Sequence, residues 1–222
     1  MAFINFGKKT INFKIVYYGP AKSGKTTNLE QIHAGISSDS RGELTTLATQ
    51  QDRTLFFDFL PLESDVVTGF TSKFQLYTVP GQVIYNQTRR LVLQGVDGVV
   101  FVADSQWEKV EENIESLKNL DANLKEIGLS LEQLPYILQF NKRDLPGVAP
   151  VHYLDFLLNR GETRVPTTEA AAATGDGVFP SLNLISRMTL SAFIRKHNLK
   201  SASMPDQVCV SESGRGATCS QV

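Results

Sequence analysis

Cysteine is nearly absent from this chain of 222 residues, and the two that occur, Cys209 and Cys219, both stand close to its C-terminus. Two such residues build neither a disulfide framework nor a zinc-ligand pattern, so a reducing, cytoplasmic setting is the expectation. Long apolar runs are missing too, and no stretch approaches the roughly 20 residues that span a bilayer. Lys8 and Lys9 have no apolar segment behind them to make a signal peptide, and Ala2 stands where N-myristoylation needs glycine. Cys219-Ser220-Gln221-Val222 fits a prenylation pattern only loosely, without aliphatic middle positions or a polybasic run, so no stable membrane anchor is expected. A charge surplus is lacking as well: 22 basic against 23 acidic residues leave −1, which gives no argument for a nucleic-acid partner. The three histidines, His33, His152 and His197, are scattered in polar contexts and read as surface residues.

What is present is an ordinary globular composition, 41% hydrophobic, and one organising stretch. Gly19-Pro20-Ala21-Lys22-Ser23-Gly24-Lys25-Thr26 follows the apolar run Ile15 to Tyr18 and precedes a helix-forming segment from Thr27. A strand feeding such a loop and a helix leaving it are the context a phosphate loop requires. Its glycines let the backbone N–H groups curl inward, and the helix N-terminus adds positive potential. Lys25 is expected to reach the β- and γ-phosphates, and the Thr26 hydroxyl to bind magnesium. Kinases, ATPases and GTPases all remain open at this point.

The chain then reads as strands alternating with helices. A strand over 11–18 leads through the loop to a helix ending near Ile36, closed by the turn residues 37–42. Leu55 to Leu60 and Phe70 to Val79 are expected to pair antiparallel. Gly98 to Asp104 and Pro135 to Phe140 are near-continuously apolar, as buried parallel strands are. Ser105-Gln106-Trp107-Glu108 has the form of a capping box opening a helix that carries Val110, Ile114, Leu117, Leu124 and Ile127. A helix over 151–158, a short strand within 164–171 and a helix over 179–197 complete an α/β fold, a mainly parallel sheet with one antiparallel pair and helices on both faces. A single domain over 1–199 is expected, followed by a disordered tail over 200–222.

Asn141-Lys142-Arg143-Asp144, at the end of a buried strand, narrows the chemistry. Guanine presents N1–H and an exocyclic amine side by side, and the Asp144 carboxylate can accept from both. Adenine lacks that amine and would leave the carboxylate unpaired. Asn141 and Lys142 are expected to brace the loop and cover the base, and the Ala172 N–H to meet the guanine O6. In Thr78-Val79-Pro80-Gly81-Gln82, the Gly81 N–H would hold the γ-phosphate and Gln82 would orient the attacking water. Upstream, Thr54 is the candidate second magnesium ligand and Arg53 an arginine finger supplied within the chain.

On these residues, from about Phe3 to Leu199, the chain resembles bacterial Ras-like small GTPases of the MglA type, which govern cell polarity and gliding or pilus-driven motility. The matching pieces are Lys14 to Thr27, Asp52 to Pro61, Leu76 to Gln82, Gly95 to Ser105 and Asn141 to Pro146. The resemblance implies a Ras-like P-loop G domain that binds GTP or GDP with Mg2+. Its nucleotide contacts would come from Gly19, Ala21, Lys22, Ser23, Gly24, Lys25, Thr26, Thr27, Thr54, Pro80, Gly81, Asn141, Lys142, Asp144 and Ala172. Arg53 and Gln82 would be the hydrolytic pair, and Thr26 and Thr54 the metal ligands. It further implies a slow GTPase stimulated by a roadblock-type homodimer (MglB-like), polar motility effectors, and a cytoplasmic protein recruited to a cell pole. Threonine at 78, where Ras-like proteins generally carry aspartate, is a hallmark of the MglA type and argues against a eukaryotic trafficking GTPase. One departure stands out: Ala21 replaces the family's usual glycine. Its methyl would crowd Gln82 or Arg53, which leaves open a GTP-binding scaffold with negligible turnover.

Overall fold

Along Thr10–Tyr18 the side chains divide between two faces: Ile11, Phe13, Ile15 and Tyr17 enter one apolar cluster, Val16 and Tyr18 the other. A strand so divided must be covered on both sides, and that requirement shapes the molecule. The computed structural model describes residues 2–48, 53–59, 69–82, 85–161, 164–197 and 199, and of residues 39, 46–48 and 53–59 the backbone alone. In chain order the elements are β1 (Phe3–Asn5), β2 (Thr10–Tyr18), α1 (Lys25–Gly35), β3 (Thr45–Ala48), β4 (Arg53–Phe59), β5 (Thr71–Thr78), α2 (Asn86–Leu93), β6 (Gly98–Asp104), α3 (Val110–Glu126), β7 (Tyr136–Asn141), α4 (Val151–Leu158), β8 (Thr167–Glu169) and α5 (Val178–His197). The expected tail over 200–222 lies outside the described residues.

The sheet runs β3-β4-β5-β2-β6-β7-β8, with β1 paired to β2 off that path. Pairing is parallel from β5 through β2, β6 and β7 to β8. The expected antiparallel pair is β4 on β5, with Phe57 opposite Leu76 and Phe59 opposite Phe74. Two short strands join it antiparallel, β3 on β4 and β1 on β2. Every residue of β6 and β7 is buried, in keeping with sequences that are apolar but for Gln139 and the terminal Asp104 and Asn141.

Helices cover both faces. Leu29 and Ile32 of α1 and Leu182, Ile185 and Leu190 of α5 join the cluster around Phe13. Leu93 of α2, Leu120 and Leu124 of α3, and Leu154 of α4 join the cluster around Val16. Phe13 stacks on Phe74 at 5.2 Å and meets Phe193 edge-on at 5.2 Å. Such pairs add roughly 0.5–1.5 kcal/mol each beyond the area they bury.

The capping box expected at Ser105–Glu108 does not form. A 3-10 turn over Trp107–Lys109 comes first, α3 begins only at Val110, and neither start has a side-chain cap. Ser105 is instead tied into the sheet by its backbone, its N–H donating to Asn141 O and its carbonyl accepting from Ala149. No described helix is long and apolar enough to cross a membrane. In the strand order, β2 has β5 on one side and β6 on the other, so the chain departs from it in both directions. In open α/β sheets, ligands bind outside the carboxyl ends of the strands at such a point.

Candidate nucleotide-binding site

The loop over 19–24 leaves that end of β2 and enters α1. Lys22 (φ 59°) and Gly24 (φ 101°) both lie in the left-handed region, which turns successive N–H groups toward one concavity. Gly24 caps α1 without a side-chain hydrogen bond, and the first turn carries no acidic residue. The N-terminal dipole of α1 therefore faces the loop uncompensated by a nearby carboxylate of its own turn, favouring an anion there. Ser23 Oγ is buried with no hydrogen-bond partner. Lys25 is almost fully buried, its ammonium donating to the carbonyls of Gly19 at 3.0 Å and Pro20 at 2.6 Å. An orphaned hydroxyl, a buried ammonium and an open helix end together fit a phosphate group.

Thr26 and Thr27 stand in the first turn of α1, half-buried. Among the described residues, no group of three or more His, Cys, Asp or Glu could hold a metal ion. The chemistry of a lone hydroxyl beside a phosphate loop fits Mg2+, which keeps its waters and takes phosphate oxygens beside one or two protein oxygens. Thr26 supplies one hydroxyl of that kind. When bound, the ion would neutralise phosphate charge. The other candidate, Thr54, lies in β4 opposite Leu47, and Arg53 lies opposite Ala48. Their side chains are outside the described residues.

At the end of β5, Thr78 is buried, and just beyond it the Val79 N–H donates to Tyr17 O. The turn over 79–82 then packs on the phosphate loop. A Cβ placed on Gly81 would stand 2.4 Å from Ala21 Cα and 3.1 Å from Ala21 Cβ, so only glycine allows this approach. The Ala21 methyl thus borders Gly81, the residue before Gln82. Gln82 is exposed, and its carbonyl accepts from the Tyr85 N–H.

On the base side, Asn141 ends β7, buried, with both halves of its amide engaged. Nδ2 donates to Ser23 O at 2.8 Å, and Oδ1 accepts the Ala172 N–H at 2.9 Å. One side chain thus spans the phosphate loop and the loop over 171–176. The N–H that was assigned to guanine O6 is already engaged, so O6 would have to share it with Asn141. Lys142 (φ 66°) anchors its ammonium on the fully buried Asp104 carboxylate and on Gln106 Oε1 at 3.2 Å. Asp144 is exposed, and no hydrogen bond from the described residues holds its carboxylate.

Two polar groups escaped the sequence reading. Behind the phosphate loop, Asn28 Nδ2 donates to Gly24 O while its Oδ1 accepts from Gln139 Nε2, which also donates to Ser181 Oγ. Ser181 Oγ passes on to Gly177 O. Gln139 within an otherwise apolar buried strand was the one available signal. The second group surrounds Arg89, which is fully buried, and includes Tyr18, Asn86, Asn119 and Asn123. Burial pushes the Tyr18 hydroxyl above its ordinary pKa, with the Arg89 charge and the Asn123 and Arg89 hydrogen bonds pulling back. The Arg89-Arg90 pair in the sequence carries no such signal.

No protein-family model matches the chain. It is 51% identical over 191 residues to the mutual gliding-motility protein MglA of Myxococcus xanthus (strain DK1622), covering 86% of this chain and 97% of that one. With ADP-ribosylation factor-like protein 6 it shares 29% identity (Caenorhabditis briggsae) and 28% (Caenorhabditis elegans), each over 187 residues, 81% of this chain and 87% of the relative.

Proposed function

The chain belongs to the MglA family of Ras-like small GTPases, and from that premise we propose that it is a Mg2+-dependent, GTP-binding and GTP-hydrolysing switch in cell polarity and surface motility. The observation that carries the reading is Asn141, joining Ser23 of the phosphate loop to Ala172 of the neighbouring loop. A side chain so placed sets the distance between phosphates and base, and it leaves the Asp144 carboxylate open for guanine. In this reading Lys25 and the amides over 21–27 hold the phosphates, and Gly81 and Pro80 border the γ-phosphate. Thr26 and Thr54 ligate the ion, Gln82 orients water and Arg53 stabilises charge on the transferred group. A roadblock-type homodimer would bind the GTP form and accelerate hydrolysis. Polar effectors and recruitment to a cell pole follow from the same family reading, and a nucleotide-dependent partner must bind the two states with different affinity.

The decisive measurement is nucleotide affinity. Wild type should bind GTP and GDP far more tightly than ATP. Asp144→Ala should weaken guanine-nucleotide binding by roughly 1–3 kcal/mol, the scale of one lost charged hydrogen-bond partner. ATP bound as tightly as GTP by wild type would sink the assignment.

A second reading, a scaffold that holds GTP without useful turnover, is favoured by one closeness: the Ala21 methyl lies 3.1 Å from where a Cβ on Gly81 would stand. The methyl stiffens the approach of the turn that carries Gln82. Ala21→Gly should then raise unaided single-turnover phosphate release by on the order of tenfold, one 1.4 kcal/mol step in barrier. Equal rates for the two forms would remove the support for a scaffold.

A further inference from the structure

Arg89 is the largest fully buried side chain among the described residues, and no described carboxylate lies within ion-pair distance of it. A buried guanidinium is costly unless its donors are all used. Here the acceptors are main-chain carbonyls and neutral side chains. Nε donates to Pro80 O at 2.9 Å, and Nη2 donates to Gly81 O. Nη1 donates to Asn119 Oδ1 at 2.7 Å and to Tyr18 Oη at 3.5 Å, and the guanidinium lies over the Tyr18 ring, 5.3 Å from its centre.

The neutral acceptors are themselves fixed. Tyr18 Oη donates to Asn119 Oδ1 at 2.6 Å and accepts from Asn123 Nδ2 at 3.1 Å. Asn119 and Asn123, one turn apart on α3, both donate to Asn86 Oδ1 at the start of α2. The cluster therefore clamps α2 to α3, and Arg89 extends that clamp to two successive carbonyls of the turn after β5. In a trans peptide the C=O and N–H point in opposite directions. Anchoring Pro80 O and Gly81 O on Arg89 therefore aims the next amides, those of Gly81 and Gln82, away from the α2–α3 cluster. Gly81 itself packs on Ala21 of the phosphate loop.

We propose that Arg89 is the positioning residue of the γ-phosphate-sensing turn, orienting the Gly81 and Gln82 amides through the two carbonyls it holds. The proposal rests on the GTP-switch reading above. It makes Arg89 act on the triphosphate state alone, because the diphosphate has no group that this turn would meet. An arginine kept only to fill the core would affect both nucleotides alike.

The experiment measures affinities for GDP and for a non-hydrolysable GTP analogue, with Mg2+, in wild type, Arg89→Met and Asn119→Asp. Arg89→Met keeps most of the volume and removes the donors. Asn119→Asp leaves Arg89 in place, but the added charge beside Nη1 draws the whole guanidinium toward α3 and off the two carbonyls that Nε and Nη2 hold, and it carries the test if Arg89→Met does not fold. Each variant should lose at least about tenfold in affinity for the triphosphate analogue, the scale of one charge-assisted hydrogen bond, while GDP affinity stays within about twofold. Parallel loss of both nucleotides, or no change in either, overturns the proposal. Wild type that binds no guanine nucleotide overturns the switch reading instead.

Discussion

Gly24→Ala is expected to weaken GTP and GDP binding together, by roughly 10²–10⁴-fold. Two costs add. Gly24 has φ 101° and ψ 17°, a conformation L side chains rarely adopt, and forcing it costs about 1–3 kcal/mol. A Cβ there would also stand 2.1 Å from Asn141 Nδ2, so the amide that ties Ser23 to Ala172 must move. Losing that brace leaves buried partners unsatisfied, another 1–3 kcal/mol or so. In the proposed reading, the phosphate side and the base side of the pocket then lose their common register. Because both nucleotides use that register, the loss should not discriminate between them. Equilibrium titration with fluorescent GDP and GTP analogues reads it directly. A variant that keeps wild-type affinity, or loses only one nucleotide, would show that Asn141 does not set the pocket's dimensions.

The same residue shows which part of the site was legible in sequence. The phosphate loop is local: strand, glycines, lysine and helix follow one another within 15–26, and local signals suffice. β6 and β7 were legible because full burial writes a near-continuous apolar run, interrupted only by Gln139 before the terminal Asp104 and Asn141. The pairing of β4 with β5 was legible from alternation, and the burial of Ser72, Phe74, Leu76 and Thr78 along β5 follows that alternation. β1 and β3, three and four residues long, are too short to carry a period and were not expected. The capping box failed for a different reason. Its residue pattern is a local rule, but Ser105 belongs to the sheet end, where backbone bonds to Asn141 and Ala149 hold it. The roles of Asn141 and Arg89 depend on partners far along the chain. Asn141 reaches back 118 residues to Ser23, and Arg89 is sealed by helix α3 and the end of β2. Nothing in an Arg-Arg pair on a short helix announces that one of the two is buried.

Arg53→Ala is expected to slow partner-stimulated GTP hydrolysis by roughly 10³–10⁵-fold while leaving GTP affinity nearly unchanged. The argument begins with backbone register. β4 and β5 run antiparallel with Phe56 opposite Tyr77. Continued past that last pair toward the start of β4, the register brings Arg53 level with Pro80. The N-terminal end of β4 therefore lies at the same end of the sheet as the phosphate loop and the Pro80–Gln82 turn. A guanidinium from that end would act on charge that develops on the transferred phosphoryl group and its leaving oxygen, charge that is smaller in the bound ground state. An interaction realised only in the transition state changes the rate and not the affinity. Single-turnover phosphate release, with and without the proposed roadblock-type partner, gives the first quantity, and nucleotide titration gives the second. A stimulated rate unaffected by Arg53→Ala would remove the finger role. An equal fall in affinity would reassign Arg53 to holding the nucleotide rather than to the chemistry.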